Sequence, residues 1–154
     1  VNAVSGAEVA RERASVRRRP LARSRTLSVL LVEDSALLAA RLQESLEVMP
    51  EVGDVRTVDR ETAAIDALDG CDVVVLDLHL KQGNGFGVLR ALGARTGPAP
   101  LVIVFTNHDV PGYRRRAAAL GAEHFLDKAR DFERLGELLR ALHARRYSGD
   151  LPEA

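Results

Sequence analysis

Four points along the chain end a run of apolar residues with a group able to do phosphoryl chemistry. Glu33 and Asp34 follow Ser28–Val32, Asp77 follows Asp72–Leu76, and Thr106 follows Leu101–Phe105. Lys128 follows a weaker run, Glu123–Asp127. Taken singly, each has an ordinary explanation. Aspartate is a common helix cap, a threonine hydroxyl closes turns, and a lysine is usually a solvated surface charge. Taken together they describe a site. Clustered carboxylates raise one another's pKa unless a cation holds them. Hard oxygen donors in this number suit Mg²⁺, which keeps several waters and bridges to phosphate. An ionised aspartate beside such an ion can attack a phosphoryl group as a carboxylate nucleophile. A hydroxyl and an ammonium can then stabilise charge on the phosphoryl oxygens.

The elements that would position these groups are legible in the pattern. Unbroken apolar runs are what strands buried on both faces look like. Asp54–Val58 and Glu123–Asp127 read as two weaker strands. Between the strands lie helical patterns. Leu38, Leu42, Leu46 and Met49 recur at helical spacing after Ser35. Asp59 is placed to cap a helix over roughly residues 60–68. Phe86, Leu89 and Leu92 mark a third helix. Pro111 sits near the start of a fourth, rich in Ala and Arg, which stops at Gly121. Phe132, Leu135, Leu139 and Leu142 form one face of a fifth, with Asp131 in a capping position. Strand and helix thus alternate five times, which demands a parallel sheet with helices on both faces. The expected fold is α/β, a doubly wound five-stranded sheet of flavodoxin-like order 2-1-3-4-5 with five helices. In such a sheet ligands bind at the carboxyl edge of the strands. Glu33, Asp34, Asp77, Thr106 and Lys128 all fall there.

The 154 residues suit one domain with tails, and 46% apolar content excludes a disordered composition. The net charge is zero but unevenly spread. Residues 1–27 carry seven Arg against Glu8 and Glu12, and the remainder carries a net of −5. The expected organisation is a basic, flexible arm over 1–27, a folded domain over 28–147 and a short tail over 148–154. An acidic body argues against nucleic-acid binding by that body. Cys71 is the lone cysteine, which excludes an intrachain disulfide and fits a cytoplasmic location. No apolar run approaches the ~18 residues of a membrane span.

Four motifs carry a resemblance. Val29–Ser35 (VLLVEDS), Val74–Leu80 (VVLDLHL), Val104–His108 (VFTNH) and Gly121–Lys128 (GAEHFLDK) resemble, in order and spacing, the signatures of the receiver domain of two-component response regulators. The likeness covers residues 28–147. It implies that Asp77 is the phosphoacceptor. It implies that Asp34 binds Mg²⁺ directly, that Glu33 helps through water, and that the His79 backbone carbonyl is a further ligand. It also implies that Thr106 is the switch hydroxyl, Lys128 the phosphate-binding lysine and Phe125 the aromatic switch residue. His79 and His108, each two residues beyond a site residue, match positions at the mouth of the site that influence dephosphorylation. The implied donor is a histidine kinase or a histidine phosphotransfer protein. The implied output face is helix four, strand five and helix five, where Arg114–Arg116 and Arg134 lie.

The sequence departs from the common receiver pattern in two places. Leu80-Lys81 stands where many receivers have Met-Pro, although Gly85 keeps the glycine eight residues after the acceptor. Ala129 follows Lys128 where many have proline; a cis bond before Ala would cost ~3 kcal/mol, so a trans peptide is expected. The absence of proline resembles stand-alone receivers. A receiver fragment of a longer DNA-binding regulator is one alternative. A Mg²⁺-dependent phosphohydrolase of the haloacid dehalogenase kind is another, but it needs a second Asp where His79 stands. A phosphorylation-silent interaction module would not need the full acidic site. The two histidines lack further ligands in a tetrahedral pattern, which argues against zinc.

Overall fold

A computed structural model describes residues 25–108 and 110–148. The expected tail beyond Ser148 and the arm before Arg25 lie outside the described residues. The strands are β1 (Leu27–Val32), β2 (Val52–Val58), β3 (Val73–Leu76), β4 (Leu101–Thr106) and β5 (His124–Asp127). The helices are α1 (Ala36–Glu47), α2 (Glu61–Asp66), α3 (Gly85–Gly93), α4 (Pro111–Ala119) and α5 (Phe132–Tyr147). The five strands form one sheet in the order β2-β1-β3-β4-β5, with every neighbouring pair parallel. This is the doubly wound, flavodoxin-like order expected.

Alternation along the strands feeds two cores. Val29, Leu31, Val75, Ile103 and Phe105 face the layer made by α1 and α5, against Ala39, Leu42, Leu46, Leu135 and Leu139. Leu30, Val32, Val74, Leu76, Val102 and Val104 face the other layer, against Ala64, Phe86, Leu89 and Ala117 of α2, α3 and α4. Each Val, Leu, Ile or Phe side chain so enclosed contributes ~1.5–3 kcal/mol. Because β1, β3 and β4 are covered on both sides, their central residues are apolar without alternation, hence the long runs; Ser28 of β1 lies near the strand's start and is only half-buried. The edge strand β2 carries Gly53, Asp54, Arg56 and Thr57 in exposed positions instead, which is why its signal was weak.

Several local expectations need correction. β1 begins one residue early, at Leu27, which is fully buried, and β2 begins at Val52 because Leu27 pairs with it. Asp59 does not cap α2; Arg60 holds the cap position without a side-chain bond, and the Asp59 carboxylate is turned to the Arg60 and Lys81 side chains instead. α2 is also shorter than expected, ending at Asp66. Met49 packs on the core from beyond the end of α1. Asp131 occupies the cap position of α5, but its carboxylate accepts from the Asp127 amide at 2.8 Å rather than from the helix. Phe132 is 43% exposed, its ring reaching Phe105 at a centroid distance of 6.4 Å, and Leu138 is buried as well as Leu135, Leu139 and Leu142. Ser35 does cap α1, accepting from the Leu38 amide, and α4 runs from Pro111 to the positive-φ Gly121 region.

Candidate functional site

The site is built where three central strands stop. Val32 and Leu76 are partners in the parallel register, so Glu33 and Asp77 emerge side by side at the carboxyl edge. The Asp77 amide donates to the Val32 carbonyl at 2.9 Å, and the Glu33 amide donates to the Val58 carbonyl at 2.9 Å. These bonds hold both residues in the sheet's grip up to the point where their side chains diverge. Thr106 ends β4 and is fully buried, and its hydroxyl accepts from the His108 amide at 3.3 Å. The Lys128 amide donates to the Thr106 carbonyl at 3.1 Å, which brings the end of β5 to the same edge.

Carboxylate oxygens of Glu33, Asp34 and Asp77 lie within 4.8 Å of one another. The Lys128 ammonium sits between two of them, 2.5 Å from Glu33 and 2.7 Å from Asp77. All three side chains of this bridge are at most 8% exposed, whereas Asp34 is half-buried and open to solvent. One ammonium shared by two buried carboxylates leaves a net negative charge, and the pKa directions follow. Burial pushes the Glu33 carboxyl up, with Asp77 adding to it, and the bonds from Lys128 and the Ser35 amide do not cancel the effect. Burial works to lower the Lys128 pKa, but the two carboxylates outweigh it and the ammonium is held above its ordinary value. Such a cluster attracts further positive charge. Three convergent hard oxygen donors, one still half-open, fit a small divalent cation such as Mg²⁺.

The loop after Asp77 is shaped by close approach. A Cβ on Gly85 would stand 2.5 Å from the Asp77 carbonyl oxygen and 3.0 Å from the Leu78 Cα, so only glycine fits. His79 donates its amide toward Asp77 at 3.4 Å. The exposed rings of His79 and His108 meet with centroids 3.8 Å apart, and Tyr113 of α4 lies 6.1 Å from His79. Both histidines therefore stand together beside the acceptor loop. Phe125 is half-buried against the α2–α3–α4 layer, and the Arg114 guanidinium lies 4.7 Å over its ring. The peptide before Ala129 is trans, as expected. Cys71 is half-buried, its thiol donating to the Leu68 carbonyl at 3.1 Å, and burial pushes that thiol's pKa up, away from the thiolate a redox centre needs.

Glu61 and Asn84 were not singled out from the sequence, and Arg114 was named only as part of the output face. Asn84 could have been found, since an Asn just before Gly85 and Phe86 is an ordinary helix-cap signal. Its side chain accepts from the Gly87 amide at 3.1 Å. Glu61 and Arg114 act across loops and elements and leave no periodic signal.

A family model described as the response regulator receiver domain matches residues 29–140. A protein-glutamate methylesterase/protein-glutamine glutaminase of Myxococcus xanthus is 36% identical over 132 residues, which cover 79% of this chain and 37% of that protein. The response regulator protein PmrA of Pseudomonas aeruginosa is 32% identical, over 82% of this chain and 57% of that protein. The chain thus spans about a third to just over half of the curated relatives it matches. Among solved structures, the signal receiver domain of a protein described as a Luxo repressor, from Vibrio parahaemolyticus, superposes with a TM-score of 0.70 at 29% identity, covering 84% of this chain and 98% of that one. The response regulator domain of Thermotoga maritima CheB gives a TM-score of 0.66 at 22% identity, over 83% of this chain and all of that one, a likeness of fold.

Proposed function

Because the chain belongs to the response regulator receiver domain family, we propose that Asp77 is its phosphoacceptor and that phosphorylation at this carboxylate is the signal it carries. The observation that carries this reading is the buried bridge. One lysine holds Asp77 and Glu33 at the carboxyl edge, with Asp34 completing a set of three carboxylates. The donor is a phosphohistidine on a histidine kinase or a histidine phosphotransfer protein. An Asp77 carboxylate oxygen forms a bond to phosphorus while the phosphorus–nitrogen bond breaks, and the histidine nitrogen leaves with its electron pair. Lys128 is already within bonding distance of Asp77, so its ammonium meets the incoming phosphoryl oxygens without a large movement. Thr106 supplies a hydroxyl from the next strand. Glu33, Asp34, Asp77 and the His79 carbonyl would hold Mg²⁺, which supplies positive charge against the repulsion between this acidic site and a phosphorylated donor. His79 and His108 flank the loop and tune hydrolysis of the acyl phosphate.

Output follows through protein contacts on α4, β5 and α5. Thr106 turns toward the phosphoryl group and Phe125 shifts with it. A phosphohydrolase of the haloacid dehalogenase kind is disfavoured by His79, whose exposed ring stands where that chemistry needs a second aspartate. The methylesterase and glutaminase activities named for some relatives belong to proteins of which this chain matches about a third, so we assign it phosphoryl acceptance alone. No described helix is long and apolar enough to cross a membrane; the lone cysteine, Cys71, supports a reducing, cytoplasmic compartment. The test is intact mass after incubation with Mg²⁺ and a small phosphodonor. Wild type should gain one phosphoryl group, and Asp77→Asn should remain at background. Wild-type labelling of the variant would refute the assignment.

A further inference from the structure

The loop that carries Asp77 forward into α3 is held from outside by the start of α2. His79 and Asn84 face each other in an antiparallel bridge, so residues 79–84 form a closed turn. The Gly85 amide donates to the Leu78 carbonyl at 3.0 Å and seals its base. Three bonds then tie the turn to the segment after β2. The Lys81 amide donates to the Asp59 carbonyl at 3.2 Å, and the Glu61 amide donates to the Gln82 carbonyl at 3.0 Å. The Asn84 amide donates to the Glu61 carboxylate at 3.1 Å. The same Asn84 caps α3 through the Gly87 amide.

Glycine makes the room that this carboxylate occupies. A Cβ at Gly83 or at Gly87 would collide with the Glu61 side chain. Gly83 has φ +73°, so its turn geometry alone explains a glycine. Gly87 does not: it lies in the first turn of α3 without a positive φ, where alanine would favour the helix. What alanine would meet there is the Glu61 carboxylate.

We propose that Glu61 is a positioning residue for phosphoryl transfer. Its carboxylate fixes the 79–84 turn, and through that turn it sets the Asp77 side chain and the His79 carbonyl. The inference rests on the reading of Asp77 as the acceptor. A plain alternative is that Glu61 is only a first-turn charge opposing the α2 dipole. The two roles respond differently to substitution. Glu61→Gln keeps an oxygen for the Asn84 amide but loses the charge, and Glu61→Ala loses both.

The experiment measures three quantities in wild type, Glu61→Gln, Glu61→Ala, Gly87→Ala and the Glu61→Ala/Gly87→Ala double variant. These are the labelling rate with Mg²⁺ and a small phosphodonor, hydrogen exchange at the Asn84 amide in metal-free protein, and the thermal midpoint. Glu61→Ala should label roughly tenfold more slowly, the scale of losing a group that orients a site from behind, and its Asn84 amide should exchange faster. Glu61→Gln should stay near wild type in both. Gly87→Ala should copy Glu61→Ala in the wild-type background and should cause no further loss of rate in the double variant, whose midpoint should rise or hold. Unchanged labelling and unchanged Asn84 exchange in Glu61→Ala, with wild type labelling normally, would overturn the proposal. So would equal impairment of Gln and Ala, or additive losses in the double variant. If wild type fails to label at Asp77, the acceptor reading itself has failed, and that control separates the two outcomes.

Discussion

Lys128 is the residue on which the electrostatics of the site turn. Its ammonium is the buried positive charge between Glu33 and Asp77. Burial nevertheless holds Glu33 above the ordinary carboxyl value of 4.5, and the ammonium only partly offsets this. The folded protein therefore binds this proton more tightly than the unfolded chain does. The stability so gained is fully present below pH 4.5 and is lost as pH rises through the raised folded value. We expect the metal-free protein to lose stability with rising pH in that interval, and Glu33→Gln to show a flatter profile. Urea midpoints measured from pH 4.5 upward decide this; parallel profiles for the two proteins would contradict it. The groups forming the bridge were legible in the sequence because each ends a strand, and strands in a parallel sheet all deliver their last residue to one edge. The bridge itself was not. Nothing in the spacing says that Lys128 reaches Glu33 as well as Asp77, since that depends on how deeply the side chain is enclosed.

At the scale of elements, the proposed switch runs through β4, α4 and β5. The Phe125 ring is packed under Arg114 of α4, whose side chain also donates to the Phe125 carbonyl at 3.5 Å. On the proposed reading, Arg114 is the contact through which a change in Phe125 would reach α4. We expect phosphorylation, or a beryllofluoride mimic, to perturb amide NMR signals over residues 106–135 far more than over residues 36–68. Thr106→Ala should still accept phosphate while losing most of that remote perturbation. Retention of the full pattern in the variant would exclude coupling through Thr106. Element type was readable from the sequence wherever both faces are buried, as in β3 and β4. Ends were less readable for physical reasons. Asp59 looked like a cap, yet Arg60 and Lys81 compete for its carboxylate and hold its pKa below the usual range. Phe132 looked like core, yet as the first residue of α5 it is 43% exposed, with its ring only touching Phe105 while Leu135 is fully buried.

For the molecule as a whole, the sheet order and the two packed layers followed from pattern alone, because alternation of strand and helix admits few other solutions. The acceptor loop's support did not, because Glu61 meets Asn84 across 23 residues and two elements. The shared ammonium has a consequence at this scale. Opening a buried bridge by removing one partner costs ~3 kcal/mol or more. Lys128→Met should therefore be destabilised by about that amount in the presence of a chelator, and Mg²⁺ should restore more stability to it than to wild type, since the lysine no longer competes for the carboxylates. Chemical denaturation with and without Mg²⁺ measures both, and an equal Mg²⁺ gain in the two proteins would show that the lysine does not compete. The chain thus carries its own counter-ion. We therefore expect the chain to complete its architecture on lysine alone and to take up metal afterwards, so that a cell short of magnesium would hold idle but intact copies rather than unfolded ones.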